Sequence, residues 1–319
     1  MVAVAARNEA EGCFNENTGL YFSLIPVLTL ASGDSCIVRW QDGRESENVE
    51  DRRRVPAGVA LGGAGTIIVI VLALALGKNP IALLQQVQNH APPVAQAPLQ
   101  ESPEEARKVA FVKHVLAETE DVWGDLFQRL GKQYRQPKLV LFTGRVNSAC
   151  GLADAAVGPF YCPGDEKVYI DLQFYDDLKQ RFHAPGDFAN AYVIAHEVGH
   201  HVQNLMGISI ESKHRQLPDD SRNQLSVRLE LQADFLAGIW AFWANRKMKI
   251  LEPGDEEKAI TAAMAIGDDR LQKVAHGYVV PENFTHGTSQ QRVKWFREGL
   301  KSGKLSEANL LFKLPYPEL

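Results

Sequence analysis

The stretch AYVIAHEVGHHVQ, residues 191–203, contains two histidines four residues apart, with a glutamate directly after the first. Residues four apart lie on one face of a helix, so His196 and His200 can present imidazole nitrogens to one metal ion. Glu197 lies one residue further round, where its carboxylate reaches a water on that ion without binding the ion itself. This H-E-x-x-H pattern is typical of hydrolytic zinc sites, in which the glutamate takes a proton from an activated water. His201 is a weaker ligand candidate, because its side chain points about 100° away from that of His200.

A second helical segment offers the third ligand that a catalytic zinc site needs. In SVRLELQADFLAGIWAFWA, residues 226–244, Glu230 and Asp234 are four residues apart and therefore share one face. Burying two carboxylates in such an apolar run is costly unless positive groups receive them. We predict that Glu230 is the third zinc ligand and that Asp234 accepts a hydrogen bond from the ring of His196 or His200.

The elements that must position these residues follow from capping signals and apolar periodicity. Ser102, followed by Pro103 and two glutamates, begins a helix that ends near Gly131. Short strands are predicted at Leu139–Phe142 and Val168–Leu172, and further helices at about 173–182, 187–206, 220–246, 255–276 and 288–301. Gly199, inside the helix of the motif, costs about 1 kcal/mol against alanine and is explained if the Glu230 helix approaches closely. A few strands followed by helices predicts an α+β fold, mostly helical with a small sheet.

The run AGVALGGAGTIIVIVLALAL, residues 57–76, contains no charged side chain. As a helix it is about 30 Å long, which matches the hydrocarbon core of a bilayer. Its glycines are unfavourable in a soluble helix but common in membrane helices, so we expect a transmembrane helix rather than a buried one. Arginines precede the run, and by the positive-inside rule they keep the N-terminus in the cytoplasm. The C-terminal part is then expected on the periplasmic side of the cytoplasmic membrane, as a single-pass protein.

The chain is accordingly divided into four parts. Residues 1–56 are a cytoplasmic leader, 57–76 the transmembrane helix, 77–101 a proline-rich tether and 102–319 the zinc metallopeptidase-like domain. The net charge of −5 gives no reason to expect nucleic acid as a partner. Four cysteines exclude a disulfide-dense scaffold but allow a single bridge.

Five blocks together resemble the bacterial family of neutral zinc metallopeptidases: GRVNSACGLADAAVGPFYCPGDEKVYIDLQFYDDL, AYVIAHEVGHHVQNLMG, RLELQADFLAGIWA, AIGDDRLQ and THGTSQQRVKWFREG. The resemblance extends from about Trp40 to Gly299, and the blocks occur in the order of that family. It implies a single-span membrane protein whose zincin-like domain lies outside the membrane. By matching position it makes His196, His200 and Glu230 the ligands and Glu197 the base. Residues 1–37 match nothing in the family, and we interpret them as the result of a start codon placed too far upstream.

The loop ACGLADAAVGPFYCP holds Cys150 and Cys162. If the domain is exported, a disulfide between them is expected, because oxidising compartments permit one; free buried thiols are the alternative. His276, Tyr278 and His286 are candidates for stabilising the negative charge that develops on an attacked carbonyl. Each of the three also fits a role in loop packing.

These features together predict a membrane-anchored, Zn²⁺-dependent metallopeptidase that cleaves a peptide or protein substrate. The alternative is an exported, zinc-stabilised domain that binds a partner or cell-wall component without cleaving it. Glu197 favours the enzyme, because a structural zinc site has a closed set of ligands and no use for a base.

Overall fold

The computed structural model describes residues 43–53, 101–154, 158–184, 186–208, 218–251, 253–265, 267 and 284–319. These residues form an α+β fold that is mostly helical with a small sheet, which confirms the predicted fold class. The predicted transmembrane helix, residues 1–37, the tether up to residue 100, His276 and Tyr278 lie outside the described residues. Of the helices in the described ranges, none has both the length and the apolar character needed to cross a bilayer.

Four strands form the main sheet, in the spatial order β1 (Val49–Asp51), β2 (Lys138–Phe142), β6 (Lys167–Asp171) and β5 (Phe160–Cys162). β2 runs parallel to both β1 and β6, whereas β5 runs antiparallel to β6. The strands β3 (Arg145–Ser148) and β4 (Gly151–Asp154) form a separate antiparallel hairpin. The sequence predicts β2 and β6 but treats the residues between them as one loop, so the hairpin and β5 are corrections to that prediction.

Side chains of β2 alternate between two apolar layers, as the geometry of a strand requires. Leu139 and Leu141 join the main core that the helices share. Val140 and Phe142 lie on the opposite face, in a smaller cluster with Tyr169 of β6. Both faces of the sheet are therefore covered, which explains why this strand reads as a continuous apolar run rather than an alternating one.

The helices in the described residues have these bounds: α1 (Pro103–Arg129), α2 (Gln173–Gln180), α3 (Asp187–Leu205), α4 (Asp219–Met248), α5 (Asp255–Ala265) and α6 (Ser289–Ser302). Short 3₁₀ turns follow at Leu305–Glu307, Leu310–Phe312 and Tyr316–Glu318. α1 begins with a capping box between Ser102 and Glu105, which agrees with the predicted N-cap. α5 ends at Ala265 and Gly267 is not helical, whereas the rest of the predicted helix over 255–276 lies outside the described residues.

α3 and α4 approach each other closely at Gly199. A Cβ atom on Gly199 would lie 2.9 Å from the carbonyl oxygen of Ala233 and 3.2 Å from its Cα atom. Glycine is needed here because the backbones of the two helices meet, even though it lowers helix propensity by about 1 kcal/mol. Ala233 lies between Glu230 and Asp234 in α4, so this contact brings the acidic pair against the helix that carries the histidines.

α4 and α6 also meet backbone to backbone. A Cβ atom on Gly238 would overlap the carbonyl group of Phe296, and one on Gly299 would overlap that of Phe235. Gly238 is one turn after Asp234, and Gly299 is two turns after Arg292. The crossing therefore places α6 close enough for Arg292 to reach the acidic pair in the middle of α4.

Residues 43–53 pack against the domain, whereas the sequence assigns them to a flexible leader. β1 pairs with β2 in the register Val49 to Leu139. The side chain of Glu120 in α1 is buried and accepts hydrogen bonds from Arg44 at 2.7 Å and from Asn48 at 2.8 Å. The segment is ordered by tertiary contacts. The buried carboxylate of Glu120 needs hydrogen-bond donors and the open edge of β2 needs a neighbouring strand, and residues 43–53 supply both.

Candidate metal centre

α3 and α4 bring three potential metal ligands together. The rings of His196 and His200 lie 4.9 Å apart between centroids and are nearly perpendicular. Glu230 faces both rings, with Oε2 at 3.2 Å from His196 Nε2 and Oε1 at 3.5 Å from His200 Nε2. The ligand atoms of the three residues all lie within 4.8 Å of one another.

Two separations within this cluster are close to those expected around a tetrahedral zinc ion. Zinc bonds to nitrogen and oxygen are about 2.0–2.1 Å long, which places neighbouring ligand atoms about 3.3–3.4 Å apart. The separations of 3.2 and 3.5 Å lie on either side of that value. The side chains of His200 and Glu230 keep 12% and 18% of their surface exposed. The cluster is therefore open on one side, as a zinc site that admits water and substrate must be.

Asp234 holds His196 from the side opposite Glu230. Its fully buried carboxylate accepts a hydrogen bond from His196 Nδ1 at 2.8 Å. With Nδ1 engaged in this way, Nε2 faces Glu230, and the ring is oriented for a metal. Of the two histidines that the sequence leaves open as partners of Asp234, the structure brings His196 to it.

His200 has an acceptor of its own, Gln203, which the sequence analysis does not single out. His200 Nδ1 donates to Gln203 Oε1 at 2.9 Å. The buried amide of Gln203 donates in turn to the carbonyl oxygen of Leu229 at 2.7 Å and to Gln232 Oε1 at 3.0 Å. The sequence did contain a signal for Gln203, because a polar residue three positions after His200 lies beside it on the helix.

Arg292 and Tyr192 complete the surroundings of Asp234 and were also missed. The buried guanidinium of Arg292 donates from Nε and Nη2 to the two carboxylate oxygens at 2.8 and 2.9 Å. The hydroxyl of Tyr192 donates to Asp234 Oδ1. No local pattern identifies Arg292, since it is 58 residues from Asp234 in the sequence and reaches it only through the crossing of α4 and α6.

Neighbouring charges shift the pKa values of His196, Asp234 and Glu230. Burial alone would lower the pKa of His196, but Asp234 and, more weakly, Glu230 outweigh burial and Arg292 and raise it to about 9. Burial alone would raise the pKa of Asp234, but Arg292 and His196 lower it to about 2. Burial is likewise outweighed at Glu230, whose pKa falls well below its usual range because it faces both histidines. In the metal-free protein His196 therefore holds a proton that a metal must displace.

Glu197 is buried beside the cluster without being one of its three ligands. Burial lowers the pKa of His200, but the charge of Glu230 and, more weakly, that of Glu197 outweigh it, so the pKa is raised. The charge of Glu197 therefore acts on His200, as expected for a base beside the candidate metal site.

The neighbouring His201 is turned away from the metal ligands. Its Nε2 donates to the carbonyl oxygen of Arg135 at 2.6 Å, and its Nδ1 accepts from the hydroxyl of Tyr161 at 3.0 Å. Tyr161 belongs to β5, so His201 joins α3 to the sheet. Burial and these two hydrogen bonds explain why a third histidine is present in the motif although it does not face the candidate ligands.

Two further predicted features lie outside the cluster. A disulfide joins Cys150, at the turn of the β3–β4 hairpin, to Cys162 at the end of β5. His286 is exposed, with Nδ1 at 2.9 Å from the hydroxyl of Thr285. The structure does not bring His286 into the group formed by the three candidate ligands.

Comparison with known proteins assigns the chain to a family. Residues 38–311, which include all the candidate ligands, match a family described as "Putative neutral zinc metallopeptidase". The chain belongs to this family. The match begins at residue 38, before β1.

Two relatives illustrate how far the similarity extends. "Uncharacterized protein YpfJ" of Escherichia coli strain K12 is 47% identical over 288 residues, which cover 86% of this chain and 99% of the relative. "Uncharacterized protein Rv2575" of Mycobacterium tuberculosis strain H37Rv is 43% identical over 180 residues, which cover 53% of this chain and 60% of the relative. No solved structure matches the chain.

Proposed function

We propose that this protein is a zinc-dependent, zincin-like metallopeptidase that hydrolyses peptide bonds in a peptide or protein substrate. The observation that carries the proposal is the presence of Glu197 beside a group of two histidines and one glutamate that is open to solvent. Membership of the zinc metallopeptidase family supports it.

The residues of the site divide the chemistry among them. When bound by His196, His200 and Glu230, a zinc ion supplies polarisation of the scissile carbonyl and lowers the pKa of an attacking water. Glu197 is the general base, which accepts the proton of that water and passes it to the leaving amine. Asp234 and Gln203 orient the two imidazole rings.

The alternative function is a zinc-stabilised domain that binds a partner and cleaves nothing. Structural zinc sites are closed by four protein ligands and have no adjacent base. Within the described ranges, the ligand group consists of three residues and keeps part of its surface exposed. This arrangement favours catalysis over a structural role.

Replacing Glu197 with glutamine separates the two functions. Glutamine preserves size and hydrogen bonding but cannot accept a proton, so hydrolysis should fall about 10²- to 10⁴-fold. Zinc content, measured by elemental analysis, should stay at the wild-type level. Cleavage is measured on a proteome-derived peptide library, with mass spectrometry of the products.

The exposed Glu298 provides the matched control, because Glu298→Gln makes the same chemical change at a residue outside the ligand group. A Glu197→Gln variant that cleaves at the wild-type rate contradicts the proposed mechanism. A wild-type protein that retains zinc but cleaves no peptide in the library supports the binding domain instead.

A further inference from the structure

Arg292 holds both oxygens of the Asp234 carboxylate. The rotation of an aspartate carboxylate about its last side-chain bond is only weakly restricted by the side chain itself. A bidentate pair of bonds from a planar guanidinium removes that freedom. With Arg292 Nε on Oδ2 and Nη2 on Oδ1, the carboxylate is fixed with Oδ1 directed at His196 Nδ1.

Arg292 also lies directly against the ring that Asp234 orients. Its Nη2 is 3.3 Å from His196 Nδ1 and 3.4 Å from His196 Nε2, and it is 3.3 Å from the hydroxyl of Tyr192. The guanidinium therefore also contacts Tyr192 and His196, both of which donate to Asp234 Oδ1. Loss of these contacts frees both the carboxylate and the imidazole to turn.

We propose that Arg292 is a positioning residue of the metal centre, which clamps Asp234 so that His196 presents Nε2 to zinc. This role rests on the zinc site of the proposed function, but it does not depend on peptide hydrolysis. The contacts that carry this role are those of Arg292 to Asp234, His196 and Tyr192.

The charges at the site explain why the clamp is an arginine. Glu197, Glu230 and Asp234 place three carboxylates around the ligand histidines. Buried charges are tolerated only when they are paired. A zinc ion contributes two positive charges and Arg292 one, so the loaded site is balanced. Lysine preserves the charge, but its single ammonium group cannot hold two carboxylate oxygens in a fixed plane.

The test is therefore Arg292→Lys, which retains the positive charge and removes the bidentate clamp. Zinc affinity, measured by competition with a chelator, should fall about 10- to 100-fold, the usual effect of losing a group that orients a ligand. The absorption bands of the cobalt-substituted protein should change, because His196 no longer holds its place. Arg297→Lys is the control, since Arg297 is an exposed arginine of the same helix.

A purely structural role gives a different result. In that case Arg292→Lys lowers the melting temperature, but the folded variant keeps wild-type zinc affinity and an unchanged cobalt spectrum, and the proposal is overturned. If Arg292→Lys does not fold, Arg292→Gln takes its place, because the single amide NH2 group of glutamine cannot hold both oxygens of Asp234 and the carboxylate itself is kept. Arg292→Gln should show the same 10- to 100-fold loss of affinity, and wild-type affinity would equally overturn the proposal.

The same measurements separate this inference from the proposed function. If the wild-type protein binds zinc but cleaves nothing, the proposed peptidase function is wrong and the positioning role of Arg292 stands. If the Arg292 variants keep wild-type zinc affinity, the positioning role is wrong and the proposed peptidase function stands. If the wild-type protein binds no zinc, both proposals are wrong.

Discussion

The two histidines of the candidate metal centre are held by acceptors of different charge. His196 donates to the carboxylate of Asp234, and His200 donates to the neutral amide of Gln203. A carboxylate acceptor increases the electron density on the imidazole more than an amide does, because it carries a full negative charge. His196 should therefore be the stronger ligand, and the two acceptors should not be interchangeable.

Removing a ligand and removing its acceptor should have effects of different size. Glu230→Ala takes away one metal bond and should abolish most zinc retention. Gln203→Met leaves all ligands in place but frees the ring of His200, so zinc affinity should fall about 10- to 100-fold. Zinc per chain after dialysis and competition with a chelator measure the two effects. Equal loss in both variants would show that Gln203 does more than orient His200.

Adjacent histidines provide a second, sharper comparison. His200→Ala should lose most of the bound zinc. His201→Ala should retain close to one zinc per chain but unfold at a lower denaturant concentration, because it loses its bonds to Arg135 and Tyr161. Zinc content and urea unfolding of both variants test this. Comparable zinc loss at the two positions would mean that the ligand face of α3 is wrongly assigned.

Glu118 in α1 is predicted to make the stability of the protein depend on pH. Its buried position and, more weakly, the charge of Asp121 raise its pKa to about 8. In the unfolded chain the pKa of glutamate is about 4.3. Between these values the folded state binds more protons than the unfolded state, so the free energy of unfolding falls as pH rises. The loss is complete above the folded-state pKa of about 8.

Glu118→Gln should remove this dependence, because glutamine is neutral at every pH. The stability of the variant relative to wild type should increase by about 1.4 kcal/mol per pH unit between pH 5 and pH 8. Urea unfolding of the metal-free protein at several pH values measures it. Glu104→Gln, at an exposed position of the same helix, is the control. Parallel pH profiles for Glu118→Gln and wild type would disprove the prediction.

At the scale of elements, the candidate metal centre depends on how closely three helices approach one another. Gly199 allows α3 to meet the backbone of α4, and Gly238 and Gly299 allow α4 to meet α6. The first contact sets the distance from the histidines to Glu230. The second sets the distance from Asp234 to Arg292. Small residues at these crossings therefore affect the site although none of them touches a ligand atom directly.

Gly199→Ala tests the first of these crossings. The new methyl group would press on the backbone of Ala233, which cannot move aside as a flexible side chain can. Overpacking of this kind costs about 1–3 kcal/mol and outweighs the gain of about 1 kcal/mol in helix propensity. We expect lower stability together with weaker zinc binding, because Glu230 moves away with α4.

Gly124→Ala is the matched control for this variant. A Cβ atom at Gly124, in the C-terminal part of α1, would have no neighbour within 4 Å. This variant should be more stable by up to about 1 kcal/mol and should bind zinc normally. Thermal unfolding and chelator competition are measured on both. A Gly199→Ala protein with unchanged zinc affinity would show that the helices separate without moving the ligand.

At the scale of the whole molecule, β1 brings the segment before the apolar residues 57–76 into contact with the domain that follows them. β1 pairs with β2, and Arg53 bonds Glu101 at 2.7 Å. A strand cannot pair with a sheet on the other side of a membrane. Residues 43–53 and residues 101–319 are therefore expected on the same side of any membrane. The arrangement expected from residues 57–76, with the leader inside and the domain outside, does not allow this contact.

Cysteine labelling in intact cells tests this topology. In a chain with Cys13→Ser and Cys36→Ser, the exposed positions Glu47 and Lys313 are changed to cysteine one at a time. A maleimide that cannot cross membranes should label both or neither. The disulfide between Cys150 and Cys162 favours an oxidising compartment, so we expect both to be labelled.

Labelling after lysis provides the control, because both cysteines should then react equally. Labelling of Lys313→Cys alone in intact cells would support a single crossing by residues 57–76. It would also mean that β1 does not pair with β2 in the cell.

Much of the site was predictable from the sequence because helical periodicity is local. The spacing of His196 and His200, and that of Glu230 and Asp234, places each pair on one face whatever the rest of the chain does. Capping signals likewise indicate the start of α1 from residues within a single turn. For the same reason Gln203 was within reach of sequence reasoning, since it lies three residues from the histidine it holds.

Contacts between distant segments were decided only by the tertiary structure. Arg292 reaches Asp234 across 58 residues of sequence, and only because glycines allow the helices to cross so closely. β1 is too short and too polar to indicate a strand by itself, and it becomes one because β2 offers an unpaired edge and Glu120 needs hydrogen-bond donors. Such partners are selected by packing and by the cost of leaving buried polar groups unpaired, which no local pattern records.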